Sequence, residues 1–477
     1  MDPIAVMEQI YQFEDNKELL KYKFKDTKIP MWMFIRTMTI RNTAYRRIGF
    51  VQPKHFLPRK EIKKNFKSSR LCETFLKRNL FLTGHKDIVY ALCSQYKLYV
   101  HEDGKCFEDL YHPFIKIAPE RSSFLIQSDC PQKNSKERPD YLHWKNDVVL
   151  KMVAECHLRE CADQDDIKTI RQLIKFLNEN YPIKLEKEDK KFFFEYLSNI
   201  SKKIKRLIAL FEIYLEIVKP KLVVVDLAHY QDDLRAALLI ACRKKNIVSA
   251  EFQHAWVGRC HEEYNYGRTI LEDKDCGKLF PDYFLTMGDF WNKKVRIKSQ
   301  IYTIGCDKIH VKKNSKGCND ALLFIASWDY EKYENLLDEL LKFLTPDTKI
   351  YFRYHPEENT AYQKQFAQKY KKYSNFITAN DNEIDFYMER SRYVIVDGST
   401  VCYEALQAGK IVFVLENIFS QYYETNKLAN VKTFSNSKEF IKLWNERKNM
   451  DPQSDNQFFN TNWKINYKNF IENIGIC

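Results

Sequence analysis

Hydrophobic positions along the chain fall into two kinds of run. Short, continuous, β-branched runs mark parallel strands buried on both faces. Longer stretches with an apolar residue every third or fourth place predict amphipathic helices. The clearest unit begins at Lys219-Pro220, which ends a helix. KLVVVD (221–226) then predicts a strand, AHYQDD a loop, DLRAALLIACRKKN (233–246) a helix with a basic last turn, and IVSAEFQH (247–254) the next strand. Upstream, DIVYALCS (87–94) and SSFLIQSD (122–129) predict strands, and GKCFEDLYHPFI (104–115) a turn and strand. Residues 130–150 read as a polar loop, and 164–218 as two or three amphipathic helices. Residues 1–80 read as mixed helix, with KIPMWMFIRTMTIRN (28–42) an apolar helix opened by Pro30. A second series starts near 281. PDYFLTMGDF (281–290), QIYTIG (300–305), ALLFIASW (321–328), KIYFRYHP (349–356), NFITAN (375–380), RYVIVDGST (392–400) and KIVFVLEN (410–417) carry strands. Helical periodicity separates the later ones, at 330–344, 360–373, 383–391 and 401–409. Such β–α alternation predicts doubly wound α/β domains. The expected division is an N-terminal helical extension (1–80), a Rossmann-like domain (81–270), a second Rossmann-like domain (271–430) and a C-terminal helical tail (431–477).

Composition narrows the class. With 477 residues the chain is long enough for two domains with real cores. Only 12 are glycine, which excludes a collagen-like or glycine-rich linker protein. No apolar run reaches the ~18–20 residues of a membrane span. The N-terminal stretch lacks a basic segment followed by an apolar core, so no secretory signal is expected and a cytoplasmic location is. The 13 cysteines form no CxxC pair; the nearest groupings are Cys156, His157 and Cys161, and Cys260 beside His261. Free thiols, and no metal site, are therefore expected. The net charge of +13 suits an anionic partner. No nucleic-acid-binding motif is present, so nucleic acid is not the expected one. Lysine runs at 60–67 and 202–206 read as solvated helix faces. The aromatic and basic mix from Lys21 to Arg46 predicts docking on anionic headgroups, unless Trp32, Phe34 and Ile35 belong to the core.

Candidate chemistry lies at strand ends, because ligands of open parallel sheets bind at their carboxyl edge. Asp226, His229 and His254 occupy such ends. Pro356 has no amide hydrogen, so His355 must be the last strand residue or lie just beyond it. Arg353 and His355 there suit a phosphate or a nucleoside hydroxyl. The turn Gly398-Ser399-Thr400 leads from a buried strand into a helix. A helix start offers unpaired amides and a positive partial charge, which attract phosphate. Ser399 and Thr400 add hydroxyls, and Glu404, one turn on, is placed to accept from a ribose. The plainer alternatives are a strand-end histidine and a helix cap at Ser399 or Thr400.

Taken together, strand–HP and then, about 40 residues on, strand–DGST–helix with its glutamate resemble the C-terminal domain of GT-B glycosyltransferases. More narrowly, the layout is similar to bacterial capsule and lipooligosaccharide enzymes: sialyltransferases, capsule-type Kdo transferases and polyol-phosphate transferases. FQHAWVGRCHEEY (252–264) resembles the QHG segment of several of these groups, with Ala255 in place of the glycine. KYKFKDTKIPMWMFIR (21–36) resembles the opening of bacterial polysaccharide glycosyltransferases. The resemblance implies two Rossmann-like domains facing across a cleft. It implies a nucleotide-sugar donor, a CMP-linked acidic sugar among the options, held by Arg353, His355, Gly398, Ser399, Thr400 and Glu404. It implies a glycan or lipid-linked glycan acceptor, no required cofactor, and a peripheral position at the inner face of the cytoplasmic membrane. An inverting transfer needs a general base. The family pattern places it on the first domain's wall, where the candidates are Asp226, His254, Asp232 and His261, with His229 nearby. Two further readings stay open: a polyol-phosphate transferase using a CDP-alcohol, and a non-catalytic capsule-assembly scaffold.

Overall fold

The computed structural model describes residues 2–50, 84–93, 98–100, 105–108, 110–126, 136–137, 161–307, 320–327, 330–355, 360–379, 384–451 and 458–476. Two six-stranded, all-parallel sheets organise it. The first comprises β1 (Ile88–Cys93), β2 (Ser122–Ile126), β3 (Leu222–Val225), β4 (Val248–Phe252), β5 (Tyr283–Thr286) and β6 (Gln300–Thr303), in the order β2-β1-β3-β4-β5-β6. The second comprises β7 (Leu322–Ile325), β8 (Ile350–Arg353), β9 (Phe376–Thr378), β10 (Tyr393–Val396), β11 (Ile411–Leu415) and β12 (Val431–Phe434). Its order, β9-β8-β7-β10-β11-β12, is that of the Rossmann fold. Three short strands near residues 98–137 form a separate small sheet.

The strands form where the runs are, and for the expected reason. Every residue of β3, β7, β10 and β11 is buried. Alternation then sorts the second sheet's side chains between two cores. Leu322, Phe324, Ile350, Phe352, Ile395 and Phe413 point one way. Leu323, Ile325, Val394, Val396, Val412 and Val414 point the other, into a core continuous with the first domain. Helices α1 (Pro3–Phe13), α2 (Trp32–Ile40), α3 (Gln164–Asn180), α4 (Lys187–Val218) and α5 (Asp233–Lys244) belong to the first half. The second carries α6 (Tyr330–Phe343), α7 (Thr360–Tyr370), α8 (Ile384–Arg390), α9 (Val401–Gln407), α10 (Ile418–Tyr422) and α11 (Ser437–Glu446). A last helix, α12 (Trp463–Asn473), follows.

The structure moves the expected boundaries. β5 pairs with β4, and β6 with β5, so 283–303 complete the first sheet instead of opening the second domain at 271. β12 pairs with β11, so 431–434 belong to the second sheet and not to a tail. α12 returns to the first domain: the Tyr467 and Tyr90 hydroxyls share a hydrogen bond, and Phe114 packs on Trp463 and Tyr467. The described part of the N-terminal extension is equally integral. Trp32, Phe34 and Ile35 are core residues, which removes the aromatic component of the membrane-docking expectation. Lysine run 60–67, Cys156, His157 and Pro356 lie outside the described residues. No helix among the described residues is long and apolar enough to cross a membrane.

A buried ion pair ties α1 and α2 into the first domain. Arg36 Nε lies 2.5 Å from Glu14 Oε1, with both side chains buried, and Arg36 also donates to the carbonyls of Glu262 and Asn265. Glu14 accepts in addition from Trp32 Nε1 (3.0 Å) and the Gly267 amide (2.9 Å). Such a pair survives burial because every lone pair has a donor. The architecture is thus α/β, two Rossmann-like domains facing across a cleft, the GT-B arrangement.

Candidate functional site: a cavity between the two sheets

In the second sheet the strand order reverses between β7 and β10, and a crevice opens there at the carboxyl ends. A cavity of about 610 Å³ occupies that place, which is ample for a nucleotide bearing a sugar. Its second-domain wall holds Ile325 and Ala326 after β7, Arg353, Tyr354 and His355 at the end of β8, Ile384 and Asp385 at the start of α8, and Ser399, Thr400, Val401 and Glu404 around the start of α9. Phe252 and Gln253 at the end of β4, with Leu110, Pro113 and Phe114, form the opposite wall. Gly305, Cys306 and Asp307 close it from the interdomain crossing.

Arg353, His355, Ser399, Thr400 and Glu404, separate in sequence, therefore line one cavity. Arg353 is oriented by donating from Nη1 to the Ala379 carbonyl at 2.8 Å. Burial pushes the His355 imidazole down to about 4, so it is neutral at pH 7. Thr400 occupies the helix-cap position, yet its side chain makes no capping bond. Among the described residues, Ser399 Oγ accepts only from the Val401 amide, at 3.3 Å. The plain helix-cap alternative thus fails for Thr400.

Gly398 and Asp397 hold this turn from behind. A Cβ at Gly398 would lie 2.6 Å from the Tyr423 ring and 2.8 Å from the Phe419 carbonyl oxygen, so only glycine fits. Asp397 is buried and accepts from Ser327 Oγ (2.7 Å), Asn417 Nδ2 (2.9 Å), the Gly398 amide (2.5 Å) and the Tyr333 hydroxyl. Burial raises its carboxyl above the usual range, with these donors pulling the other way. The first residue of DGST is therefore the anchor of the turn, and the next three face or shape the cavity.

The four candidate bases are not among the cavity-lining residues. Asp226 is buried, accepts from the Tyr111 hydroxyl at 2.8 Å, and gives its backbone carbonyl to Arg235 Nε at 2.6 Å. Asp232 caps α5 through the Arg235 amide (2.9 Å) and pairs with the Arg235 guanidinium (2.5 Å). Both side chains thus have partners within the first domain. His261 stacks on Trp256, with rings 5.6 Å apart, and faces Glu263 at 3.2 Å. Burial alone would lower its pKa, but the Glu263 hydrogen bond and charge leave it raised. Glu263, buried between Arg41 and His261, is pulled down to about 2 against the effect of burial. His254 lies two residues beyond β4, next to cavity-lining Gln253, and its Nδ1 lies 3.3 Å from the Tyr264 hydroxyl.

Several lining residues escaped the sequence reading. Gln253 was visible only as part of FQHAWVGRCHEEY; its amide is fixed at both ends, to the Ala255 carbonyl (2.9 Å) and the Met287 amide (3.0 Å). Asp307 and Asp385 carried no local motif. The glycine missing at 255 has a counterpart at 258, where a Cβ would overlap the Trp256 ring at 2.0 Å. Trp256 in turn donates from Nε1 to the Tyr403 hydroxyl of α9 at 3.1 Å, a contact that joins the two domains.

The fold and the crevice together define a two-domain α/β protein with a ligand-sized site between its sheets. No protein-family profile and no curated protein matches the chain. Among solved structures it is similar to Staphylococcus aureus MnaA bound to UDP, at 9% identity, TM-score 0.44, covering 81% of this chain and 97% of that one. It is also similar to a UDP-GlcNAc 2-epimerase from Neisseria meningitidis bound to UDP-GlcNAc, at 12% identity, TM-score 0.42, with 81% and 99% covered. A UDP-glucosyltransferase from Polygonum tinctorium matches at 10% identity and TM-score 0.41, with 82% and 94% covered. At these values the likenesses carry no argument about chemistry, and the assignment of architecture stands on the strand order itself.

Proposed function

We propose that the protein is a glycosyltransferase that takes a sugar from a nucleotide-sugar donor. The observation that carries the reading is the meeting of Arg353, His355, Ser399, Thr400 and Glu404 in one cavity at the reversal point of a Rossmann sheet, closed by Gln253 from the other domain. A guanidinium and two hydroxyls suit a phosphate, and Glu404 suits ribose hydroxyls. Catalysis then consists of holding the phosphate as it leaves and admitting an acceptor from the first-domain wall.

Thermal-shift titration with CMP, CDP, UDP, GDP and dTDP tests this. One nucleotide should raise the melting temperature, by ~2.7 kcal/mol of added stability at a hundredfold excess over its Kd. His355→Ala should abolish that shift while melting cooperatively by itself. No response to any of the five, or an unchanged response in His355→Ala, would remove the reading.

The acceptor is proposed to be a bacterial surface glycan or a lipid-linked precursor, met at an anionic membrane face. The net charge of +13 supports such contact. Trp32, Phe34 and Ile35 are buried and add nothing to it, and the attraction proposed is electrostatic. Flotation with anionic vesicles should therefore show binding at low salt that vanishes near 0.5 M, as screening shortens to a few ångströms (about 3 Å at 1 M). Absence of binding at low salt would sink the membrane part only.

A further inference from the structure

We infer that Asp307 is the catalytic base of the transfer: its carboxylate takes the acceptor's hydroxyl proton on the side of the cavity away from the nucleotide. The inference rests on the transferase reading above and deepens it.

The direction of attack narrows the choice. In an inverting displacement the acceptor oxygen reaches the anomeric carbon from the face opposite the departing phosphate, and the base must stand within hydrogen-bond reach of that oxygen. Among the described residues, three carboxylates line the cavity: Asp307, Asp385 and Glu404. Asp385 at the start of α8 and Glu404 on α9 belong to the wall that carries Arg353, Ser399 and Thr400, where the phosphate would sit. His355 shares that wall. The opposite wall offers Leu110, Pro113, Phe114, Phe252 and the carboxamide of Gln253, none of which is a base. Asp307 remains. It lies four residues beyond β6, at the carboxyl edge of the first sheet, where the chain crosses between domains. Among the described residues no hydrogen bond or ion pair occupies its carboxylate, whereas Asp226 and Asp232 are both engaged.

The backbone that presents Asp307 is pinned to the wall it faces. The amides of Ile304 and Gly305 both donate to the Thr286 carbonyl, at 2.9 and 3.1 Å. The Cys306 amide donates to the Asn460 carbonyl at 3.3 Å, and the Asn460 amide to the Met287 carbonyl at 2.7 Å. The Met287 amide then donates to Gln253 Oε1 at 3.0 Å. One chain of hydrogen bonds thus runs from the buried side chain of Gln253 to the residue before Asp307, and it sets the carboxamide and the carboxylate in one frame. Gln253 Nε2 spends one hydrogen on the Ala255 carbonyl. Its second is left to donate to a hydroxyl of the acceptor.

In the step itself the acceptor O–H bond breaks and its proton passes to a carboxylate oxygen of Asp307. The electron pair of that bond stays on the acceptor oxygen, which bonds to the anomeric carbon. The carbon–oxygen bond to the donor phosphate breaks, its electron pair leaving with the nucleotide. Asp307, now a neutral carboxylic acid, returns the proton to water as the product departs.

The test is nucleotide release by the full chain from UDP-GlcNAc, UDP-glucose, CDP-glucose, GDP-mannose, dTDP-glucose and CMP-sialic acid, with water as the acceptor, whose proton needs the same base. Wild type should release nucleotide from one of them, with the anomeric configuration of the freed sugar inverted in a proton spectrum taken at once. Asp307→Asn should keep the wild-type Tm and the thermal shift given by the matching free nucleotide, and lose ~10²–10⁴-fold in kcat. The acid limb of its pH–rate profile should disappear. Formate should restore part of the rate to Asp307→Ala, where a small carboxylate fits the space left by the side chain. An Asp307→Asn chain within a few-fold of wild type, one that loses the nucleotide's thermal shift, or a freed sugar of retained configuration overturns the base assignment and leaves the transferase reading standing. A wild-type chain that releases nucleotide from none of the six overturns the transferase reading, and the base with it.

Discussion

His355 is a histidine held where charge is expensive. Its folded pKa of about 4 lies below the ordinary value of 6.5. The unfolded chain therefore binds more protons than the folded one between those values, and stability rises with pH across that window. The contribution is fully present above about 6.5 and is lost as pH falls towards 4. Denaturant midpoints measured from pH 4 to 7 should climb for the wild type and flatten for His355→Gln. A phosphate beside the ring reverses the preference, so nucleotide binding at pH 6 should take up protons; calorimetry in two buffers of different ionisation enthalpy reads the uptake directly. Gly398→Ala is the steric counterpart. Its new Cβ meets backbone at 2.8 Å, and a loss of ~1–3 kcal/mol with weakened nucleotide binding is expected, seen as a lower Tm and a smaller ligand shift. What could be read at this scale was local. The DGST turn and the strand-end histidine need only their neighbours in sequence. The surroundings of Asp226 could not be read that way, because its partner, the Tyr111 hydroxyl, lies 115 residues upstream.

Strands and helices were legible for the same local reason, and their partners were not. β5 and β6 show the limit: a β-branched or aromatic run declares a strand, but nothing in it declares which sheet will pair with it. α9 shows another. Its spacing announces a helix with two buried sides, yet only the fold reveals that Val401 and Glu404 face the cavity while Tyr403 and Gln407 face the other domain. Gln407 makes two hydrogen bonds with the Phe459 backbone, at 2.7 and 2.8 Å. Gln407→Ala leaves both buried backbone groups without those bonds and should cost about 1–3 kcal/mol, measured as a lower midpoint in urea. The pair Glu14–Arg36 is the heavier element-scale tie. Arg36→Ala abandons a buried carboxylate, and ~3–5 kcal/mol of destabilisation is expected. A variant within about 1 kcal/mol of wild type in chemical denaturation would show that α1 and α2 are peripheral after all.

Across the whole molecule the contacts between halves are specific and largely buried. Arg259 bonds Glu424 at 2.9 Å, the Tyr45 and Tyr422 hydroxyls lie 2.7 Å apart, and Trp256 reaches Tyr403. Such contacts join the two domains directly. The crossing of the chain has a further consequence. The second domain is one uninterrupted stretch, whereas the first domain's core is completed by Phe458, Trp463, Tyr467 and Phe470, which follow the whole of the second. On the ribosome the part begun first is therefore the part finished last. The nascent first domain must wait with Tyr90, Phe114 and Phe252 uncovered while its successor closes, a natural invitation to a chaperone and a reason to expect that the halves cannot be expressed as separate, soluble pieces cut at their linker.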